Sequence, residues 1–151
     1  RYGFNQKPFR IIKFRTMTTM DDGTVVQQAS KDDQRITRVG RVLRRYNIDE
    51  LPQLLNVLIG DMSLVGPRPH ALAHDHHFMS RIALYARRHN VKPGITGWAQ
   101  VSGYRGETET DEKMRGRIEH DLYYIDNWSL LLDLTIILLT IFSPKAYRNA
   151  H

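Results

Sequence analysis

Cysteine is absent, which excludes disulfides and thiolate metal sites and suits a reducing compartment. No stretch reaches the roughly 18 apolar residues that a bilayer-spanning helix needs. The n-region, h-region and cleavage site of a secretory leader are missing, and no Met opens the chain. The sequence begins at Arg1 and so reads as a fragment or processed piece, with any upstream targeting or membrane segment lying outside it. Internal repeats, low-complexity tracts and Pro/Gly/Ser-rich linkers are missing too, which argues for one domain over residues 1–151. Disorder is excluded by the even spread of Leu, Ile, Val and aromatic residues, and 41% hydrophobic residues suffice for one core.

What is present is a basic excess. Lys and Arg number 22 against 16 Asp and Glu, giving a formal net charge of +6 and a pI of about 9.8. Such a balance suits polyanions: nucleic acid, anionic lipid headgroups or phosphate-bearing substrates. Charge alone does not choose among them.

Phe9 to Met17 (FRIIKFRTM) mixes β-branched and aromatic residues with basic ones and is predicted to be a strand. A polar loop follows from Thr18 to Gln34, with a turn at Asp22-Gly23. The spacing of Val39, Val42, Leu43 and Tyr46 predicts a helix over Thr37–Tyr46, with Arg38, Arg41 and Arg45 on its opposite face. A second helix is expected from Asp49 to Ile59, with Leu51, Leu54, Leu55, Leu58 and Ile59 as its apolar stripe and Gly60 as its stop. Pro52 is tolerable because it lies in the first turn. Met62–Val65 and Trp98–Val101 read as short strands, and His70–Arg88 and Thr110–Asn127 as helices. In the last of these, Met114, Ile118, Leu122 and Ile125 form the buried side. Trp128–Phe142 is almost wholly apolar, interrupted by Asp133, and too short to span a bilayer. It fits equally a core helix or one lying at a membrane interface, anchored by Tyr123, Tyr124, Trp128, Lys145 and Arg148.

The sharpest chemical signal is Asp49-Glu50 at the start of a helix. A first helical turn presents unpaired N–H groups and partial positive charge, which stabilise a carboxylate and can also hold a phosphate. An aspartate kept ionised there could attack phosphorus. The plain alternative is an N-cap followed by a favourable first-turn acid. Only Asn47 and Ile48 separate this pair from the arginine helix, a junction tight enough to aim part of the basic face at it. Arg68, between Pro67 and Pro69, sits on a stiffened loop suited to bidentate phosphate binding, or to pairing with a nearby acid. Gly94 and Gly97, then Gly103 and Gly106 around Arg105, would let backbone approach a nucleotide closely. His70, His74 and His77 would share one helix face, a spacing compatible with zinc, but no Glu follows the first His as in H-E-x-x-H.

Four strings stand in one order between Pro8 and Phe142: PFRIIKFRTM, RITRVGRVLRRYNIDELPQLLNVLIGDMSLVGPRP, VKPGITGWAQVSG and YYIDNWSLLLDLTIILLTIF. Together they resemble the catalytic domain of the monotopic phosphoglycosyl transferases, also called bacterial sugar transferases, which start capsule, exopolysaccharide and O-antigen synthesis. The resemblance implies an α+β fold, mostly α-helical with a small β-hairpin, associated with the membrane surface. It favours an interfacial place for the last apolar helix. It implies that Asp49 attacks the β-phosphate of a UDP-sugar, releasing UMP and holding a phosphosugar that a polyprenyl (undecaprenyl) phosphate then accepts. Glu50 would assist, and Mg²⁺ would be the cofactor with Asp49 as its main protein contact. Lys13, Arg15, Arg44 or Arg45, Arg68 and Arg105 would contact phosphates and nucleotide. The stretches PRPHALAHD and RGETET look like the members that transfer glucose- or galactose-1-phosphate.

Family members carry an apolar re-entrant membrane helix ahead of the first basic strand. Ser102 stands where many have Asn, and Tyr104 adds a residue before the expected Arg105. The implied location is the cytoplasmic face of the bacterial inner membrane, with no nucleic acid as partner; a homo-oligomer stays open. The rival readings are a zinc hydrolase built on the histidines, and a basic module that binds nucleic acid or anionic membrane without catalysis.

Overall fold

The segment expected as the first strand is an irregular strap that follows a 3-10 turn at Phe4–Gln6. The computed structural model describes residues 1–18, 33–104 and 111–143. Phe9–Thr16 forms no regular element, and a side chain takes the place of a partner strand. Asn56 Oδ1 accepts from the Ile12 N–H (3.0 Å) and its Nδ2 donates to the Arg10 carbonyl (2.8 Å). Further along, the Phe14 N–H donates to the Asp49 carbonyl (3.0 Å). A lone bridge joins Met17 to Ile36. The turn expected at Asp22-Gly23 lies outside the described residues.

Helix α1 (Arg38–Arg45) is capped by Thr37, whose hydroxyl accepts from the Gly40 N–H (2.8 Å). Gly40 is its only buried residue, and a Cβ there would run into the Thr16 carbonyl, so α1 lies directly on the strap. The predicted second helix divides in two. Asn47, in the left-handed region, leads into a 3-10 turn at Ile48–Glu50, and α2 proper is Gln53–Ile59. Gly60, at φ 96°, ends it as expected.

The β part is a parallel pair and not a hairpin. Strand β1 (Ser63–Val65) aligns Ser63 with Gly94 and Val65 with Thr96 of β2 (Gly94–Thr96). Between them run α3 (Leu72–Met79) and a 3-10 stretch at Tyr85–Asn90. That crossover makes the strands parallel. The single helix expected over His70–Arg88 is broken at Leu84, whose φ of 64° is left-handed. Trp98–Val101 is a one-turn helix, α4, rather than a strand. A Cβ at Gly94 would collide with the Gly66 backbone, so the glycine-bearing stretch is the one that fits beside β1.

Helix α5 (Asp111–Asp126) and helix α6 (Leu130–Phe142) complete the described chain. Met114 and Ile118 of α5 pack with Phe78, Ile82 and Tyr85, and Leu122 lies against that cluster. Tyr124 packs with Val65, Val101 and Ile136 in a second cluster, against which Ile125 rests. Tyr124 is therefore core, not an interfacial anchor. Its hydroxyl and the Trp128 Nε1–H both donate to Asp133 (2.8 and 3.2 Å), which satisfies the acid interrupting α6. The mostly helical α+β class stands.

The apolar stripes of α1 and α2 do not face this core. Val39, Val42 and Tyr46 are exposed, as are Leu51, Leu54, Leu55, Leu58 and Ile59, while Gln53 and Asn56 are buried. On α6 only Ile136 is buried, and Leu130, Leu131, Leu134, Leu138, Ile141 and Phe142 are exposed. Among the described residues no helix is long and apolar enough to cross a membrane.

Candidate active site

Asp49 and Glu50 sit in the 3-10 turn, each 8% exposed. The turn is positioned from two sides. The strap bonds the Asp49 carbonyl through Phe14, which carries Lys13 alongside the pair. From the other side comes the loop after β1, stiffened by Pro67 and Pro69.

Glu50 takes both cations. Arg68 Nη1 donates to Oε2 (3.1 Å) and Nη2 to Oε1 (2.5 Å), a fork-to-carboxylate pair. Lys13 Nζ lies 3.3 Å from Oε1. Glu50 is the main reason the Arg68 pKa is raised. Burial, with Arg68 nearby, lowers the Lys13 pKa against the pull of Glu50. The acid-pairing alternative for Arg68 is thus realised, and the acid it meets belongs to the candidate catalytic pair.

Asp49 differs from its neighbour. Among the described residues its carboxylate has no ion pair and no hydrogen bond from another side chain, though it accepts from its own backbone N–H. Burial and the Glu50 charge raise its pKa, opposed by Lys13 and Arg44. A carboxylate in this condition favours a cation or an electrophile brought to it. Mg²⁺ is held by one or two carboxylates together with water and substrate phosphates, so this donor set fits it without a protein cage. Among the described residues no group of three or more His, Asp or Glu could hold a metal ion, and the His74 side chain lies outside the described residues. His70 precedes α3 and is buried against Tyr85, Arg88 and Arg117, while His77 is exposed beside Arg81.

The remaining expected contacts are spread out. Arg44 faces the strap because it lies four residues beyond Gly40; its Nε donates to the Thr16 hydroxyl (3.1 Å) and its Nη2 to Met17 Sδ (3.7 Å). Arg45 is exposed over the Tyr46 ring, 5.8 Å from its centroid. Arg38 and Arg41 are exposed as well. Arg15 is exposed and makes no contact with the pair. Arg105, Lys145 and Arg148 lie outside the described residues.

Behind Arg68 is a buried polar network with no counterpart in the sequence reading. Arg88, 3% exposed, lies 2.9 Å from Asp121 and within hydrogen-bond distance of Tyr85 and His70. Tyr85 in turn donates to Asp75 (2.6 Å). The network joins His70, Asp75, Tyr85 and Arg88 to Asp121, 33 residues beyond Arg88, and no local signal marked it.

Known proteins match this sequence along nearly its whole length. The profile of the Bacterial sugar transferase family matches residues 1–145. The UDP-glucose:undecaprenyl-phosphate glucose-1-phosphate transferase of Escherichia coli (strain K12) is 55% identical over 151 residues, covering 100% of this chain and 32% of that protein. The protein of that name from Caulobacter vibrioides (strain ATCC 19089 / CIP 103742 / CB 15) is 57% identical over 151 residues, covering 100% of this chain and 57% of its own length. The Exopolysaccharide production protein PSS of Rhizobium leguminosarum bv. phaseoli is 48% identical over 147 residues, with 95% and 74% covered. This chain therefore spans only about a third of the first of these relatives and somewhat over half of the second. With a family profile matched over nearly its full length, the chain belongs to the bacterial sugar transferase family.

Proposed function

We propose that this chain carries the active site of a phosphoglycosyl transferase that moves glucose-1-phosphate from UDP-glucose to undecaprenyl phosphate. The observation that carries the reading is the asymmetry of the carboxylate pair. Glu50 is neutralised by Arg68 and Lys13, whereas Asp49, equally buried, forms no ion pair among the described residues. The names of the relatives supply the donor and acceptor.

In the proposed first step an Asp49 carboxylate oxygen attacks the β-phosphorus of UDP-glucose. The bond from that phosphorus to the bridging oxygen breaks, and UMP departs with the electron pair. The product is a glucosyl phosphate esterified to Asp49 as an acyl phosphate. In the second step an oxygen of undecaprenyl phosphate attacks the same phosphorus and the Asp49 carboxylate is released. A raised pKa makes the Asp49 carboxylate more basic, hence more nucleophilic, than an ordinary aspartate. Arg68 and Lys13 stand where phosphoryl oxygens gain negative charge, and Glu50 holds the Arg68 fork in a fixed orientation. Mg²⁺, held by Asp49, would supply charge neutralisation at the donor phosphates. The exposed apolar residues of α1, α2 and α6 would rest on the cytoplasmic leaflet, which presents the lipid acceptor to the same side.

The test is UMP release from UDP-glucose, with Mg²⁺ and undecaprenyl phosphate, by the protein at its native length in detergent. Release by the wild type and none by Asp49→Asn is the expected pattern. A folded wild type that releases no UMP from UDP-glucose or UDP-galactose would contradict it.

A further inference from the structure

We infer that Arg88 is a positioning residue for Arg68, holding that arginine's backbone so that its guanidinium meets Glu50 and the donor phosphates. The inference rests on the transferase reading above and adds a residue to it that touches no substrate.

The geometry is specific to one carbonyl. Arg88 Nη2 donates to the Arg68 carbonyl at 2.7 Å and to Asp121 Oδ2 at 2.9 Å. Its Nη1 lies 3.1 Å from the Tyr85 hydroxyl and 2.6 Å from His70 Nδ1. The guanidinium is thus fixed from α5 and from its own 3-10 stretch, and at 3% exposure no substrate reaches it. The loop that it grips needs such a grip. Pro67 and Pro69 have no N–H, so two of the loop's three central residues lack a backbone donor. The loop is tied down instead from outside: Gly66 N–H to the Thr96 carbonyl (2.9 Å), the Pro67 carbonyl to Gly94 N–H (3.0 Å), and the Arg68 carbonyl to Arg88. The first two ties come from β2 and fix the residues before Arg68. Among the described residues only the Arg88 tie falls on the Arg68 backbone, at the base of the side chain whose far end forks onto Glu50.

Removing one partner of a buried charge pair lowers stability whatever else the pair does. What separates positioning from stability is where the loss appears. Arg88 bonds the backbone of residue 68, so the bond survives any side-chain change at that position. If Arg88 serves catalysis through the Arg68 side chain, its contribution to turnover vanishes once that side chain is gone, while its contribution to stability remains.

The experiment is a double-mutant cycle of Arg88→Lys and Arg68→Ala in the native-length protein in detergent, with UDP-glucose, Mg²⁺ and undecaprenyl phosphate. The readouts are kcat/KM for UMP release, the Kd for UDP-glucose where turnover is too slow to follow, and Tm. Supporting groups behind a site typically matter roughly 10- to 100-fold, so Arg88→Lys should lower kcat/KM by about that factor. In the Arg68→Ala background the same change should cost less than about 3-fold in kcat/KM or Kd, while the fall in Tm is the same in both backgrounds. Equal fold-losses in both backgrounds overturn the inference, as does a folded Arg88→Lys with wild-type kcat/KM. If Arg88→Lys does not fold, Asp121→Asn loosens the same guanidinium and gives the same cycle. A folded wild type that releases no UMP overturns the transferase reading, and this inference with it; UMP release with multiplicative losses overturns this inference alone.

Discussion

Asp49 and Glu50 are adjacent, equally buried and treated oppositely by their surroundings. Because burial and Glu50 raise the folded-state pKa of Asp49, protonation at this site favours the folded state. That contribution is complete below the ordinary carboxyl pKa and is lost as pH rises through the raised value, so at neutral pH the ionised Asp49 destabilises the fold. Asp49→Asn should therefore raise Tm at pH 7 while abolishing turnover, and the gain should fade on acidification toward the ordinary aspartate range. Thermal melts of both proteins from pH 7 to 4 check this; a Tm at pH 7 below that of the wild type would contradict it. Glu50→Gln has the opposite sign. It leaves the Arg68 fork and Lys13 without their anion, at a cost of about 2 kcal/mol by urea unfolding. Asp49, Glu50 and Arg68 were legible as chemistry because acids opening a helix and an arginine between prolines are local patterns, whereas Lys13 came only with the family resemblance. Arg88 and Asp121 were not, since only the packing of α5 brings them behind the loop.

At the scale of elements, the sequence showed which residues share a helix face but not what that face meets. The stripe Val39, Val42, Tyr46 is real and exposed; α1 packs through Gly40 instead, against Thr16. Periodicity counts apolar side chains and is blind to a helix held by its glycine. Gly40→Ala should cost about 1–3 kcal/mol by overpacking against a backbone carbonyl that cannot swing aside, as read by denaturant unfolding. Loss under about 0.5 kcal/mol would mean that strap and helix separate easily. The same blindness applied to α2, where leucines are exposed and Gln53 and Asn56 are buried. Leu58, 83% exposed, should tolerate Glu with a stability change within about 0.5 kcal/mol. Leu58→Glu combined with Ile59→Glu should nonetheless weaken sedimentation with phosphatidylethanolamine/phosphatidylglycerol vesicles, if this face rests on lipid. Unchanged sedimentation would move the membrane contact elsewhere. The hairpin expectation failed for a related reason: whether two short strands are parallel depends on the crossover between them, here α3 and the Tyr85–Asn90 turn.

For the whole molecule, composition bounded the answer and long motifs identified it. The basic excess admitted several polyanions, and the mostly helical α+β fold admits many functions. Membership of the bacterial sugar transferase family rests on matches that run the length of the chain. The reaction rests on Asp49 becoming covalently modified, and that is the claim to test most directly. The native-length protein in detergent would be incubated with UDP-glucose and Mg²⁺ but no lipid acceptor, then quenched and weighed by intact-mass spectrometry beside Asp49→Asn. The account predicts a glucosyl-phosphate adduct on the wild type that maps to Asp49, is absent from Asp49→Asn, and disappears when undecaprenyl phosphate is added. An adduct that persists in Asp49→Asn, or UMP released on adding acceptor with no adduct at the earliest quench times, would contradict it.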